Sequence, residues 1–184
     1  VYVTGSSFNG LDWDMRTVKH GPDGSTLWSV AYAGPAAGDD RASAVAVDAT
    51  GNAYVAGYSW HGTSSDVRTI KYAVSGAVLW SVGYDSPDHA DDGAVGLALN
   101  ATGDVYLTGW SVSWSTGRRE YLTLKLAAAD GSLLWSASQG EPGADSSYAS
   151  AIAVDGSGDA YVTGTSATGQ NKNYLTVKYA AADG

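Results

Sequence analysis

Short runs of alternating apolar and polar residues recur along the chain, each roughly four to eight residues long and bounded by Gly, Asp, Asn or Ser. Alternation of period two sends successive side chains to opposite sides of an extended strand. No window of about a dozen residues carries a helical period, so the chain reads as all-β. The runs also repeat as words. Tyr2, Tyr54, Tyr106 and Tyr161 sit in VYVTG, AYVAG, VYLTG and AYVTG, at intervals of 52, 52 and 55 residues. RTVKH, RTIKY, LTLKL and LTVKY follow in step, then TLWSV, VLWSV and LLWSA, then AVAVDATGN, GLALNATGD and AIAVDGSGD. A period of that length made of strand-like words signals a stacked or radial β repeat.

Each cycle supplies four strands. The first is the small-residue word at 44–48, 96–100 and 151–155, whose Ala and Gly suit a crowded place near a central axis. The second is the Tyr-Val-Thr-Gly word, the third the Thr-Val-Lys-Tyr word, and the fourth the Leu-Trp-Ser word. Tight Gly-containing turns join first to second and third to fourth, which predicts an antiparallel meander. In the third strand Thr17 and Lys19 share one face and Val18 and His20 the other, and both faces recur in the later cycles, as expected of a strand packed on both sides. Four-stranded meanders at this period predict β-propeller blades. A parallel β-solenoid is the rival, but its rungs are shorter and need no pair of hairpins per cycle. The repeat units fall at about 1–43, 44–95, 96–150 and 151–184, in one array.

The words YVTG, LTVKY, ADG, LLW, AIAVD and GD or GN, spread over the whole chain, resemble the bacterial seven-bladed β-propeller repeat family often called SBBP repeats. The resemblance implies a large secreted or surface-attached bacterial protein, with the repeats often beside adhesion or sorting domains. It implies no catalytic motif, because the family has no settled biochemical activity.

About fourteen strands are expected, namely strands two to four, two full blades, and strands one to three, or 3.5 to 4 blades. A ring needs more members, so the chain reads as a partial ring or as half of an oligomeric one. The expected partners are further blades of a longer parent chain or a second copy of this chain. Val1 opens inside a strand without Met, which reads as a fragment or a processed product. No stretch of 18 apolar residues exists, so membrane insertion is not expected.

Composition narrows the function classes. There are 24 Gly, 7 Trp and 12 Tyr against 10 Lys plus Arg, and the net charge is −9. That balance disfavours nucleic acid, which draws affinity from cations at phosphates. The absence of Cys removes disulfides and thiolate chemistry. An acidic, glycine-rich, cysteine-free repeat suits a bacterial exterior.

The connections at 6–13, 59–65, 111–119 and 167–173, and at 34–40, 85–92 and 139–147, vary between cycles and emerge on one face of a propeller, the candidate binding face. Trp13, Tyr58, Trp60, Trp110, Trp114 and Phe8 lie there. They read either as caps on the core or as rings that stack on sugars or grip a peptide. Trp28, Trp80 and Trp135 recur in strand four and read as packing. Acids gather at Asp39 and Asp40, at Asp85, Asp88, Asp91 and Asp92, and at Glu141 and Asp145. They read as solvated charge or, at Asp88, Asp91 and Asp92, as ligands for a hard cation such as calcium; no other cofactor is expected. Lys19, Lys71, Lys125 and Lys178 are expected to face Asp48, Asn100 and Asp155 in a clasp between strands or blades. His20, His61 and His89 stand apart with no triad, HExxH or phosphate loop, so a non-catalytic binding or structural module is expected. A carbohydrate-binding lectin propeller and a glycoside hydrolase fragment are the alternatives.

Overall fold

The computed structural model describes residues 1–184 and is built of strands alone. With no helix, none is long and apolar enough to cross a membrane. Four antiparallel sheets follow one another in chain order. The first holds β1 (Tyr2–Phe8), β2 (Trp13–His20) and β3 (Thr26–Tyr32). The second holds β4 (Asp40–Val47), β5 (Ala53–Trp60), β6 (Ser65–Tyr72) and β7 (Val78–Tyr84). The third holds β8 (Asp92–Leu99), β9 (Val105–Val112), β10 (Arg119–Leu126) and β11 (Leu133–Gln139). The fourth holds β12 (Ser146–Val154), β13 (Ala160–Thr168) and β14 (Asn171–Tyr179).

Every strand pairs with its neighbour in sequence, so each sheet is a meander. The small-residue strands β4, β8 and β12 touch one another from blade to blade, and β4 also touches β1, which places them innermost. This is a partial β-propeller, with two complete blades between two three-stranded ones.

The innermost strands are longer than their sequence suggests, because a bulge interrupts each one. The register slips between Ala42 and Ala44, between Ala94 and Gly96, and between Ala149 and Ala151. The extra residue breaks the period of two, so the upstream half does not read as strand. Opposite each bulge lies the glycine of the Tyr-Val-Thr-Gly word. A Cβ on Gly57, Gly109 or Gly164 would collide with the carbonyl oxygen of Arg41, Gly93 or Tyr148. That glycine is therefore required by the close approach of two backbones.

Three apolar layers lie between the four blades. Met15 with Ala53, Val55, Ile70 and Tyr72 fills the first junction. Tyr54, Val67, Val105, Leu107, Leu122 and Leu124 fill the second. Tyr106, Tyr121, Trp135, Val162 and Tyr179 fill the third. Burial at the first junction pushes the Tyr72 hydroxyl up to about 12.

A polar latch runs along the edge of these layers. Tyr54, Lys71 and Trp80 lie on one cross-strand rung, as do Tyr2, Lys19 and Trp28, and Tyr106, Lys125 and Trp135. Each lysine sits over its tyrosine ring, at 4.8 to 5.2 Å from the centroid in these three blades. The lysine then reaches the next blade: Nζ of Lys19, Lys71 and Lys125 donates to the carbonyls of Val74, Ala128 and Ala181 at 3.1, 3.0 and 2.8 Å. The indoles of Trp28 and Trp80 donate to the same Val74 and Ala128 oxygens. The Tyr2 and Tyr106 hydroxyls donate to Gly51 and Gly158, also one blade on.

The expected pairing of these lysines with Asp48, Asn100 and Asp155 does not form. Those three side chains instead cap their own turns, Asp48 accepting from the Thr50 and Asn52 amides at 3.0 and 2.9 Å. Asn100 and Asp155 do the same for their turns. An Asx side chain satisfies nearby amides before it can reach a neighbouring strand. For two of the lysines a carboxylate is supplied by the last residue of that turn: Asp104 is 3.7 Å from Lys125, and Asp159 is 2.7 Å from Lys178.

Candidate functional site

The meander sends the links between second and third strands, and those between blades, to one face. The Gly-containing turns go to the other. On the turn face a cavity of about 550 Å³ opens between the second and third blades, lined among others by Asp48, Asn52, Tyr54, Lys71, Asn100 and Thr102. Its walls are the residues that recur in every unit and serve the turns and latches. Size alone therefore does not make it the site where one ligand would be distinguished from another.

The loop face differs from blade to blade. Its connections are stapled in pairs by aspartates that accept backbone amides 24 or 26 residues away. Asp39 accepts from Trp13, Asp91 from Ser65 and Asp88 from Trp114, at 3.2, 2.9 and 3.0 Å. Asp12 accepts likewise from Gly38, and Asp145 from Gly169. Two of these staples hold the backbone of an aromatic residue, Trp13 and Trp114, on this face.

The six aromatic residues expected there divide into two groups. Tyr58 and Trp110 meet edge to face at 6.4 Å, and the Arg119 guanidinium covers Trp110 at 4.3 Å. Trp60 lies against Gly38. These three are half-buried braces between loops. Phe8 and Trp13 form an exposed pair at 5.6 Å, with Arg41 over the Trp13 ring and held by Asp39 at 2.9 Å. Trp114 stands 72% exposed at the tip of the link between β9 and β10. It borders a cavity of about 180 Å³ with Thr63, Ser64, His89, Asp91 and Val112. The strand-four residues Trp28, Trp80 and Trp135 pack edge-on against Tyr2, Tyr54 and Tyr106 at 5.7 to 6.0 Å.

The acids separate too. Asp88 and Asp91 point to the loop amides just described, while Asp92, at the head of β8, joins two others. One carboxylate oxygen from each of Asp66, Asp85 and Asp92 lies within 4.8 Å of the other two. Burial pushes Asp92 up, as does the neighbouring Asp85 charge, while the nearby Ser111 and Ser86 hydroxyls and the Ser86 amide, which donates to Oδ2, oppose the rise. Burial raises Asp66 as well, with Ser64, His61 and Arg68 opposing and Asp85 adding to it. His61 Nδ1 is 3.5 Å from Asp66, and His89 Nδ1 is 2.6 Å from Asp85. That hydrogen bond to Asp85 raises the His89 pKa.

Sequence reasoning missed Asp66, although a signal was present. Asp14, Asp66 and Glu120 each stand five residues before the latch lysine of their blade. An acid recurring at one step beside a loop that gains Asp85 marks this junction.

Comparison with known families supports the architecture. The model of the SBBP beta-propeller repeat matches residues 30–62 and 134–168. The two segments lie two repeats apart, and each runs from the fourth strand of one blade through the first two strands of the next. Two segments of the chain thus match the SBBP beta-propeller repeat. A search of curated proteins finds no match.

Proposed function

We propose that this partial propeller of SBBP repeats is a non-catalytic binding or structural module of a secreted or cell-surface bacterial protein, contacting protein or glycan through its loop face. The observation that carries the reading is the contrast between the two faces. One is built of near-identical turns; the other is built of loops that differ in sequence and present Trp114, Trp13 and Phe8 to solvent. A rigid scaffold with variable aromatic loops is a common platform for recognition.

Further blades of a longer parent chain, or a second copy, are the partners for its two ends. Val3 is 51% exposed where its counterpart Val55 is 0%, and Tyr174 is 88% exposed where Tyr121 is 0%. These faces are apolar surfaces of the kind another blade covers.

Among binding readings, the glycan one draws on the Phe8 and Trp13 pair beside Arg41 and Asp39, which combines stacking surface with polar groups. The hydrolase alternative has less support, because Asp39, Asp88, Asp91 and Asp145 already hold loop amides and Asp92 is out of reach of a sugar.

Titration with a glycan and peptide panel, read by tryptophan emission, tests the proposal. A saturable shift that disappears in Trp13→Ala or Trp114→Ala supports loop-face recognition. A shift that survives both substitutions moves binding elsewhere, and no shift with any member leaves a structural role. Hydrolysis of a chromogenic glycoside, abolished by a single carboxylate substitution, would overturn the non-catalytic reading.

A further inference from the structure

The geometry points to a divalent-cation site on the loop face at the junction of the second and third blades, with Asp66, Asp85 and Asp92 as its carboxylate ligands. The three come from separate segments: the start of β6, the link between blades, and the first residue of β8. A cation held there ties two blades together.

Two observations carry the site. The first is the convergence itself, with oxygens of all three carboxylates within 4.8 Å of one another. The second is that Asp92 is fully buried and its Oδ1 has no hydrogen-bond partner, although Oδ2 accepts the Ser86 amide at 2.7 Å. The Ser86 hydroxyl is buried and unpartnered as well. A buried carboxylate oxygen without a donor is expensive, and a cation is the partner that such an oxygen accepts without a proton. Hard divalent ions take oxygen ligands from Asp carboxylates binding through one or both oxygens, with hydroxyls and water completing the sphere.

The surroundings fit. His61 and His89 approach Asp66 and Asp85 from outside, the kind of outer contact that orients ligating carboxylates. Arg68 is the remaining cation facing the group, and it is turned toward the His61 ring at 2.9 Å and the Tyr32 ring at 5.4 Å. His89 takes a left-handed φ of 53°, within the link that brings Asp85 and Asp92 to one place.

The other two junctions serve as internal controls. The corresponding steps hold Asp14, Ala33 and Asp40 at the first, and Glu120, Gly140 and Ser147 at the third. Asp40 also has an unpartnered Oδ1, and its Oδ2 accepts the Gly34 amide. The buried aspartate is thus part of the fold, and the added Asp85 is what completes a ligand set.

The test uses the chain as it stands, stripped with chelator and titrated calorimetrically with calcium, magnesium, manganese and zinc chlorides in turn. Thermal unfolding is followed with and without each metal. One equivalent per chain and a raised midpoint are expected for at least one ion. Preference for calcium or magnesium indicates an oxygen-only sphere, and preference for manganese or zinc brings in a histidine. Asp85→Asn, on an exposed loop where folding is not at stake, should weaken binding at least about tenfold. Asp40→Asn should leave it unchanged. Absence of saturable binding by all four ions at about 1 mM, the weak end for such sites, overturns the inference. So does an Asp85→Asn chain that binds like the unsubstituted one. The site does not rest on loop-face recognition, and its failure would leave that reading intact.

Discussion

The second and third blades bury both faces of their central strands, whereas the first and fourth bury one. Along β5 and β9 the first five residues are buried in succession, and along most of β13 burial alternates residue by residue. The words in these strands are nearly the same. The difference therefore lies in neighbours, and it teaches that one sequence word has no fixed energetic worth in a repeat array: stability is a sum over interfaces as much as over units.

Equivalent residues in covered and uncovered blades let this contrast be broken or sharpened. The largest effect is expected at the tyrosines of the third strand. Tyr121→Ala should cost about 3–5 kcal/mol and Tyr174→Ala no more than about 0.5 kcal/mol, read from denaturant midpoints at constant slope. Equal costs would mean that the fourth blade is covered in solution.

Next come the glycines that face the bulges. Gly57→Ala drives a methyl into the Arg41 carbonyl and should cost about 3 kcal/mol or more, while Gly5 has open space around its Cβ position and should accept Ala almost freely. If a strand is laid on β1, in a longer chain or a complex, Gly5→Ala should become as damaging as Gly57→Ala. That turns Gly5 into a reporter of the added strand.

The latch lysines follow. Lys71→Ala removes a charged donor from the Ala128 carbonyl and should lower stability by about 1–2 kcal/mol. Lys178, which is itself exposed, whose rung faces no later blade and which pairs instead with Asp159, should show a smaller drop in the same unfolding assay.

The smallest effect is a pH dependence that compares two turns. Burial works to raise Asp48, but hydrogen bonds from Thr50 and Asn52 outweigh it and hold the group at about 2. A carboxyl depressed on folding contributes stability above its unfolded value near 3.9, and loses it as pH falls toward the folded value. Melting midpoints should therefore decline between about pH 4 and pH 2, with a shallower decline in Asp48→Asn. Asn100, in the same turn one blade on, shows that the amide can hold this geometry.

Much of the architecture was legible because it is local. Period-two words gave the strands, and Asx-Gly turns gave the hairpins. The spacing of the tyrosines gave four units with strands missing at the two ends. What stayed hidden depended on contacts across the period. The bulges near Ser43, Val95 and Ser150 concealed the outer halves of the innermost strands. The true partners of Lys19, Lys71 and Lys125 lie 55 to 57 residues away on backbone carbonyls, which carry no residue identity to read. The loop aromatics were found as a set, but their division into braces such as Trp60 and Trp110 and exposed rings such as Trp114 depends on packing. The acidic set was found in part: Asp92 was seen, and Asp66 was passed over because it sits inside a strand.

The Tyr-Lys-Trp rung gives each of the first three blades a donor side that meets backbone carbonyls of the blade after it, always in the same order along the chain. Two copies meeting through like ends would oppose donors to donors, or carbonyls to carbonyls, so a pair joined like end to like end is disfavoured, and a two-copy ring must set each donor side against the other copy's acceptor side. Growth through them is polar, as bricks laid in one direction, and it ends only when the curvature brings the last unit back to the first.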